Sequence, residues 1–98
     1  MYERYPVRVR GVDEEGKAFR VNTVLDNIST DGLYLRLPRR VKVGAKVSLI
    51  IWFADSWIDT TQRVVRLAAR GVVMRADPLK GGRFGYAVGL TRKRFLKQ

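Results

Sequence analysis

Two short segments contain the side chains whose types and spacing could do chemistry. The first is Asp26-Asn27-Ile28-Ser29-Thr30-Asp31-Gly32. An asparagine amide can hydrogen-bond the edge of a nucleobase, and a serine hydroxyl can donate to a phosphate oxygen. A glycine lets a ligand approach the backbone closely. These residues predict a nucleotide cradle. Considered alone, the segment fits better a polar turn that Asn27 and Ser29 cap, with Gly32 in a strained dihedral.

The second segment is Arg4-Tyr5-Pro6-Val7-Arg8, where two arginines stand four residues apart. A guanidinium can hold a phosphate, bind the O6 and N7 atoms of guanine, or stack on a purine. The pair could therefore clamp one phosphorylated ligand. The alternative is a basic arm in which Arg8 faces solvent from a strand, with Val7 and Val9 facing the core.

Composition removes several other chemistries. The chain of 98 residues contains neither cysteine nor histidine. Disulfide frameworks, thiolate metal sites and cysteine nucleophiles are excluded, and the usual general base at neutral pH is absent. Asp55 and Asp59 form a possible carboxylate pair, but no further ligand set accompanies them. We therefore expect no enzyme activity, no bound metal and no cofactor.

Charge points to an anionic partner. The formal net charge is +11, from 20 basic and 9 acidic residues, and 14 of the basic residues are arginine. Residues 60–98 hold ten basic residues and only Asp77 as an acid. A nucleotide, a nucleic acid, an acidic protein or a membrane surface would each suit this charge, and solubility alone is the alternative explanation. The arginine-rich stretch 63–75 is interpreted first as a solvated face.

The elements that must position these residues are strands. Apolar residues alternate with polar ones over several stretches, which is typical of strands with one buried face. The turns Asp13–Gly16 and Gly44 separate them, and Pro38 ends one strand. The sequence predicts six strands in one domain over residues 1–98, arranged as an antiparallel β-barrel or sandwich.

Three segments leave alternatives open. Residues 62–70 place arginines at helical spacing, but Gly71 and the valines after it favour one bulged strand over about 62–76. Residues 77–82 are expected to form a loop, and the basic tail 92–98 could start a short helix. Trp52, with Trp57 nearby, lies opposite the buried face of its strand. Either the C-terminal segment or a loop covers it, or it forms a partner or dimer surface.

Taken together, the two segments resemble the PilZ domain family. That family carries an RxxxR motif followed by a [D/N]xSxxG motif. Arg4 and Arg8 fit the first motif, and Asn27, Ser29 and Gly32 fit the second. Only 18 residues separate the two motifs, slightly fewer than usual. The strand patterns at 33–37, 71–75 and 86–90 also fit, so the resemblance covers nearly the whole chain.

The resemblance implies an all-β fold: a six-stranded antiparallel β-barrel, usually with a C-terminal helix. It implies cyclic di-GMP as the ligand. Arg4 and Arg8 would hold guanine edges and phosphates and stack on the bases. Asn27 would bind guanine, Ser29 a phosphate oxygen, and Gly32 would shape the turn. If Arg8 lies inside the first strand, Arg4 matches the family's second arginine and the first is missing, which would weaken or abolish binding.

Two functional hypotheses remain, with a third ranked last. The first is a cytoplasmic receptor that binds cyclic di-GMP, changes conformation and signals to a protein partner or an attached domain. The second is a protein-interaction module with the same barrel and a degenerate site, using the Trp52 surface or the basic half. Nucleic-acid binding is the least favoured, because few aromatic residues form a stacking row. The longest apolar run, Leu49–Ala54, is too short for a membrane span, and no secretory signal is recognisable.

Overall fold

Six antiparallel strands make up most of the described part of the protein. The structure is a computed structural model, and it describes residues 5–55 and 63–96. The strands are β1 (Tyr5–Val12), β2 (Ala18–Ile28), β3 (Gly32–Leu37), β4 (Lys46–Asp55), β5 (Arg63–Pro78) and β6 (Phe84–Leu96). They close into a barrel in the order β1-β2-β3-β6-β5-β4. The predicted all-β, six-stranded antiparallel barrel is confirmed.

The interior of the barrel contains the apolar residues of each alternating strand. Val7 and Val9 of β1 are buried, as are Leu49 and Ile51 of β4. No polar or charged residue of the described part of the chain is buried. Because successive side chains of a strand point to opposite faces, the residues between these positions face outward. Arg8 and Arg10, which alternate with the buried valines of β1, therefore lie on the outer surface.

The turns follow the glycine pattern of the sequence. Gly16 and Gly44 have φ of 82° and 93°, a region where a side chain is strained. Asp13 begins the β1–β2 turn, and one of its carboxylate oxygens accepts the backbone N–H groups of Glu15 and Lys17 at 2.9 Å. These bonds hold the pKa of Asp13 below its usual value, and a hydrogen bond from Arg39 adds to the effect.

Strand β5 is one long strand, as the sequence favoured. It pairs with β4 without interruption, whereas its pairing with β6 shifts register beside Gly71 and again between Val73 and Arg75. The extra residue at the first shift is Thr91, on β6, and at the second Met74, on β5. The segment predicted as a loop holds the end of β5 and a single 3₁₀ turn, Lys80–Gly82.

The C-terminal tail does not start a helix within the described residues. Strand β6 continues from Phe84 to Leu96, because residues 92–96 pair with 66–70 of β5. Backbone hydrogen bonds to a long neighbouring strand outweigh the weak helical pattern of this basic stretch. No helix in residues 5–55 and 63–96 has the length and apolar character needed to cross a membrane.

Tyr86 connects the barrel interior to the loop between β3 and β4. The side chain is 1% exposed. Its hydroxyl donates to the carbonyl oxygen of Arg39 at 2.5 Å and accepts the N–H of Val41 at 3.0 Å. Burial raises the pKa of Tyr86, so the group stays neutral. One hydroxyl therefore satisfies two backbone groups of a loop that lies over the core.

We predict that Tyr86→Phe lowers the free energy of unfolding by about 1–3 kcal/mol, because it leaves two backbone groups without a partner. Urea denaturation measures the change. Tyr34→Phe is the matched control: its hydroxyl bonds a side chain, Asp77, in a less buried place. The control should lose less than about 1 kcal/mol. Equal losses in both variants would contradict this account.

Candidate functional site

A bulge in β2 determines how the [D/N]xSxxG segment is presented. Leu25 pairs with Leu35 of β3 and Asn27 pairs with Tyr34, so Asp26 is an extra residue. Two hydrogen bonds of 2.9 and 2.8 Å from Arg36 hold the Asp26 carboxylate. After the bulge, Asn27 is exposed beside Tyr34 on the outer face of the barrel.

The turn between β2 and β3 is closed by its own hydrogen bonds. The backbone N–H of Ser29 donates to the carbonyl oxygen of Gly32 at 2.8 Å, and the Ser29 hydroxyl donates to the same oxygen at 3.2 Å. Strand β6 holds the turn from the side: the Leu90 N–H donates to the backbone carbonyl oxygen of Asp31, and the Lys93 ammonium donates to that of Thr30. The exposed Ser29 hydroxyl can exchange its weak internal bond for one to a ligand.

Gly32 is required by packing, not by a strained dihedral. The glycines with positive φ in the described residues are Gly16, Gly44, Gly81 and Gly82, so the expected strain at Gly32 is absent. A Cβ atom at Gly32 would lie 2.8 Å from the carbonyl oxygen of Val88 on β6. The close approach predicted at this position is therefore real, but it brings two strands of the barrel together.

A shallow depression brings three of the predicted site residues together. Pairing places four outward residues side by side on adjacent strands, in the order Asn27, Tyr34, Ala87 and Arg75. The depression is lined by these residues together with Ser29, Gly32 and Leu33. It therefore combines an amide, a hydroxyl, a phenol and a guanidinium on one surface.

Sequence reasoning did not select Tyr34 and Arg75 as site residues. Tyr34 lies within the strand pattern at 33–37 without being assigned a role, and Arg75 belongs to the stretch 63–75 that was interpreted as solvated. Asp77 links them: its Oδ2 atom accepts from the Tyr34 hydroxyl and from Arg75 Nε, each at 3.2 Å. Burial and the neighbouring Asp77 carboxylate raise the pKa of Tyr34, so it remains a donor at neutral pH.

Arg8 lies elsewhere on the barrel. It is in the middle of β1, between the buried Val7 and Val9, and its Nε donates to Asn22 of β2 at 3.2 Å. Its guanidinium lies 5.5 Å from the ring centre of Trp52, a cation–π distance. Asn27 is five residues beyond Asn22, about 16 Å along a strand. Arg8 does not line the depression of Asn27 and Ser29.

Some sequence predictions concern residues outside the described part of the chain. Arg4, Trp57 and Asp59 lie there, and of Asp55 only the backbone is described. The two arginines of the RxxxR pattern therefore have one described member, Arg8. Within residues 5–55 and 63–96, no three acidic side chains form a group that could hold a metal ion.

The fold and the depression define a class: small closed β-barrels with a polar depression on the outer surface. A comparison with protein families matches residues 1–93 to the PilZ domain, and the chain belongs to this family. Comparisons with curated proteins and with solved structures gave no match. PilZ domains are receptor and adaptor modules of cyclic di-GMP signalling.

We predict that Gly32→Ala destabilises the barrel by about 1–3 kcal/mol, because a backbone oxygen cannot move aside as a flexible side chain can. Thermal or urea unfolding measures the effect. Thr30→Ala, in the same exposed turn, is the control and should change stability by less than about 0.5 kcal/mol. A Gly32→Ala protein as stable as wild type would show that the strands separate easily at this point.

Proposed function

We propose that the protein is a receptor module for cyclic di-GMP. Membership of the PilZ family supports this function. The observation that carries it is the shared position of Asn27, Ser29 and Gly32 on one depression, with Arg75 beside them. A cyclic dinucleotide has two anionic phosphates and two guanine bases, so a site for it needs hydrogen-bonding groups and cations together. The depression offers both.

Each side chain has a role that its chemistry fits. The Asn27 amide pairs with a guanine edge, and the Ser29 hydroxyl donates to a phosphate oxygen. The Nε–H of Arg75 donates to the Asp77 carboxylate, so the other guanidinium N–H groups can reach a phosphate or a base. Tyr34 offers a ring face between them. Gly32 keeps the turn close to β6.

The arginines of the first motif complete the proposal. Arg4 precedes β1, and in the receptor it closes over the ligand as part of an arm. For Arg8 to contact the ligand together with Arg4, its side chain has to break its contacts with Asn22 and Trp52. Otherwise Arg75 supplies the positive charge instead of Arg8. Ordering of the arm against the Asn27–Gly32 turn would change the nearby surface, and a protein partner or attached domain would read that change.

Calorimetric titration with cyclic di-GMP tests the receptor function. We expect saturable heat with this ligand and none with GTP or a non-binding dinucleotide such as cyclic di-AMP. Ser29→Ala and Asn27→Ala should each weaken binding about tenfold or more, since each removes one hydrogen bond to a desolvated ligand group. Arg83→Gln, on an exposed residue before β6, is the control and should bind as wild type.

The arginine variants decide which cation matters. If Arg8→Ala loses affinity for cyclic di-GMP and Arg75→Ala changes little, Arg8 moves to the ligand as part of the arm. If Arg75→Ala loses affinity and Arg8→Ala changes little, Arg75 supplies the charge. Circular dichroism of each variant verifies the fold. Absence of heat from folded wild-type protein at high micromolar ligand would refute the receptor function.

One observation favours a second candidate function, a protein-interaction module with a degenerate site. The Arg8 guanidinium is already engaged by Asn22 and by Trp52, away from the depression. Trp52 is half-buried on the outer face of β4, where an aromatic anchor can contact a partner. A partner purified with the protein in the absence of nucleotide, and lost in Trp52→Ala but not in Met74→Ala, would support this function.

A further inference from the structure

The strand register gathers arginines from three distant parts of the sequence on one outer face. Two rows of side chains cross β1, β4, β5 and β6, each row made of residues that pair directly. The rows are Arg8, Ile50, Ala68 and Arg94, and, next to it, Arg10, Ser48, Arg70 and Arg92.

These rows line a depression of about 620 Å³. We call it the arginine groove, defined by Arg8, Arg10, Arg70, Arg92 and Arg94. Its floor consists of short side chains, Ser48 and Ala68, with Ile50 among them. The walls stand on β1 and β6, which are three strand spacings apart, about 14 Å along the sheet. Long cationic side chains on β1 and β6 thus stand on either side of a low floor, and Arg70 lies on β5 between them.

No carboxylate balances this charge within residues 5–55 and 63–96. The ion pairs found there use Lys17, Arg36, Arg39 and Arg75, none of which belongs to the arginine groove. Arg8 bonds a neutral amide, and the other four arginines of the groove are exposed. Five guanidinium groups on one concave face, with no carboxylate partner among the described side chains, create a strong positive potential that a polyanion would neutralise.

The composition of the groove distinguishes between polyanions. A protein partner is held mainly by an apolar, aromatic-rich centre. Here six of the twelve lining residues are cationic and three have short side chains, which leaves Leu49, Ile50 and Leu96 as the large apolar ones. Interfaces with nucleic acid are instead polar and strongly positive, and guanidinium groups fit phosphates bidentately. A concave face about 14 Å wide suits one strand of nucleic acid.

Trp52 adds a feature that acidic peptides do not need. It lies two residues after Ile50 on the same outer face of β4. Its ring lies beside the end of the groove, against the Arg8 guanidinium. An aromatic ring at the end of a cationic groove can stack an unpaired base. We propose that the arginine groove binds single-stranded nucleic acid through its phosphodiester backbone, with Trp52 stacking one base.

This activity goes beyond cyclic di-GMP binding and uses another face. The arginine groove and the depression of Asn27 and Ser29 share no lining residue. Arg8 is the one residue with a role in both proposals, because the receptor function allows it to leave the groove and join the ligand. It also differs from the ranking that the sequence supports, in which nucleic acid comes last. In the linear chain Arg70 lies 60 positions after Arg10 and Arg92 lies 22 positions after Arg70. Only the register shows that they are neighbours.

Fluorescence anisotropy with a labelled oligothymidylate of about 15 nucleotides tests the proposal, at salt concentrations from about 50 to 200 mM. Arg70→Gln with Arg92→Gln should weaken binding about tenfold at the lowest salt. If each arginine neutralises one phosphate, the slope of log K against log salt should become shallower by about 1.4. The control pair Lys80→Gln with Arg83→Gln removes the same charge outside the groove and should change affinity less than about threefold.

Three results would overturn the proposal. Equal weakening in both double variants would show that net charge alone attracts the strand. Polyglutamate of equal charge that competes as well as the oligonucleotide would indicate an acidic-protein surface. A duplex that binds more tightly than the single strand would remove the role of Trp52.

Calorimetry with cyclic di-GMP on the same variants separates this proposal from the receptor function. If the double variant Arg70→Gln with Arg92→Gln still gives heat with cyclic di-GMP but binds the oligonucleotide more weakly, the two sites are independent. If wild-type protein gives no heat with cyclic di-GMP but binds the oligonucleotide as expected, the receptor function is refuted and the proposal for the groove stands. Loss of both activities in the groove variant, in folded protein, would overturn the assignment of a separate site.

Discussion

Strand β6 closes the sheet, and the rest of the structure depends on that closure. It pairs with β5 along most of its length and with β3 from Phe84 to Gly89, joining strands that are far apart in sequence. Glycines make the approach possible: a Cβ atom at Gly71 would lie 2.6 Å from a Val88 methyl carbon. A closed sheet has one inner face, which must be apolar and packed. Every arginine whose side chain the structure describes therefore lies outside this core.

Closure also builds two different surfaces from the same strands. On one side, the pairing of β2, β3, β6 and β5 places Asn27 in a row that ends at Arg75. On the other, the pairing of β1, β4, β5 and β6 assembles the arginine groove. Strand β6 contributes to both surfaces with different residues. The barrel thus presents a polar depression and a cationic groove that have no lining residue in common.

The sequence predicted what depends on local alternation. The strands, the turns at Gly16 and Gly44, and the contiguous Asn27–Gly32 segment all follow from neighbouring residues. Arg75 and the arginine groove were not predicted, because cross-strand register is a long-range property that two-residue periodicity leaves open. The helix considered for the C-terminal tail was wrong for another reason. Residues 92–96 extend beyond the end of β3, so both faces of this stretch are polar enough to obscure a strand pattern.

The length of β6 has a consequence for solubility. Its pairing with β3 ends at Gly89, and within the described residues the stretch from Arg92 to Leu96 has a hydrogen-bonded neighbour only on the β5 side. A free strand edge is a template for adding strands of other molecules, which leads to aggregation. Here that edge carries Arg92, Lys93 and Arg94 in succession. A second copy approaching edge to edge would meet the same charges, so electrostatic repulsion opposes pairing of two such edges.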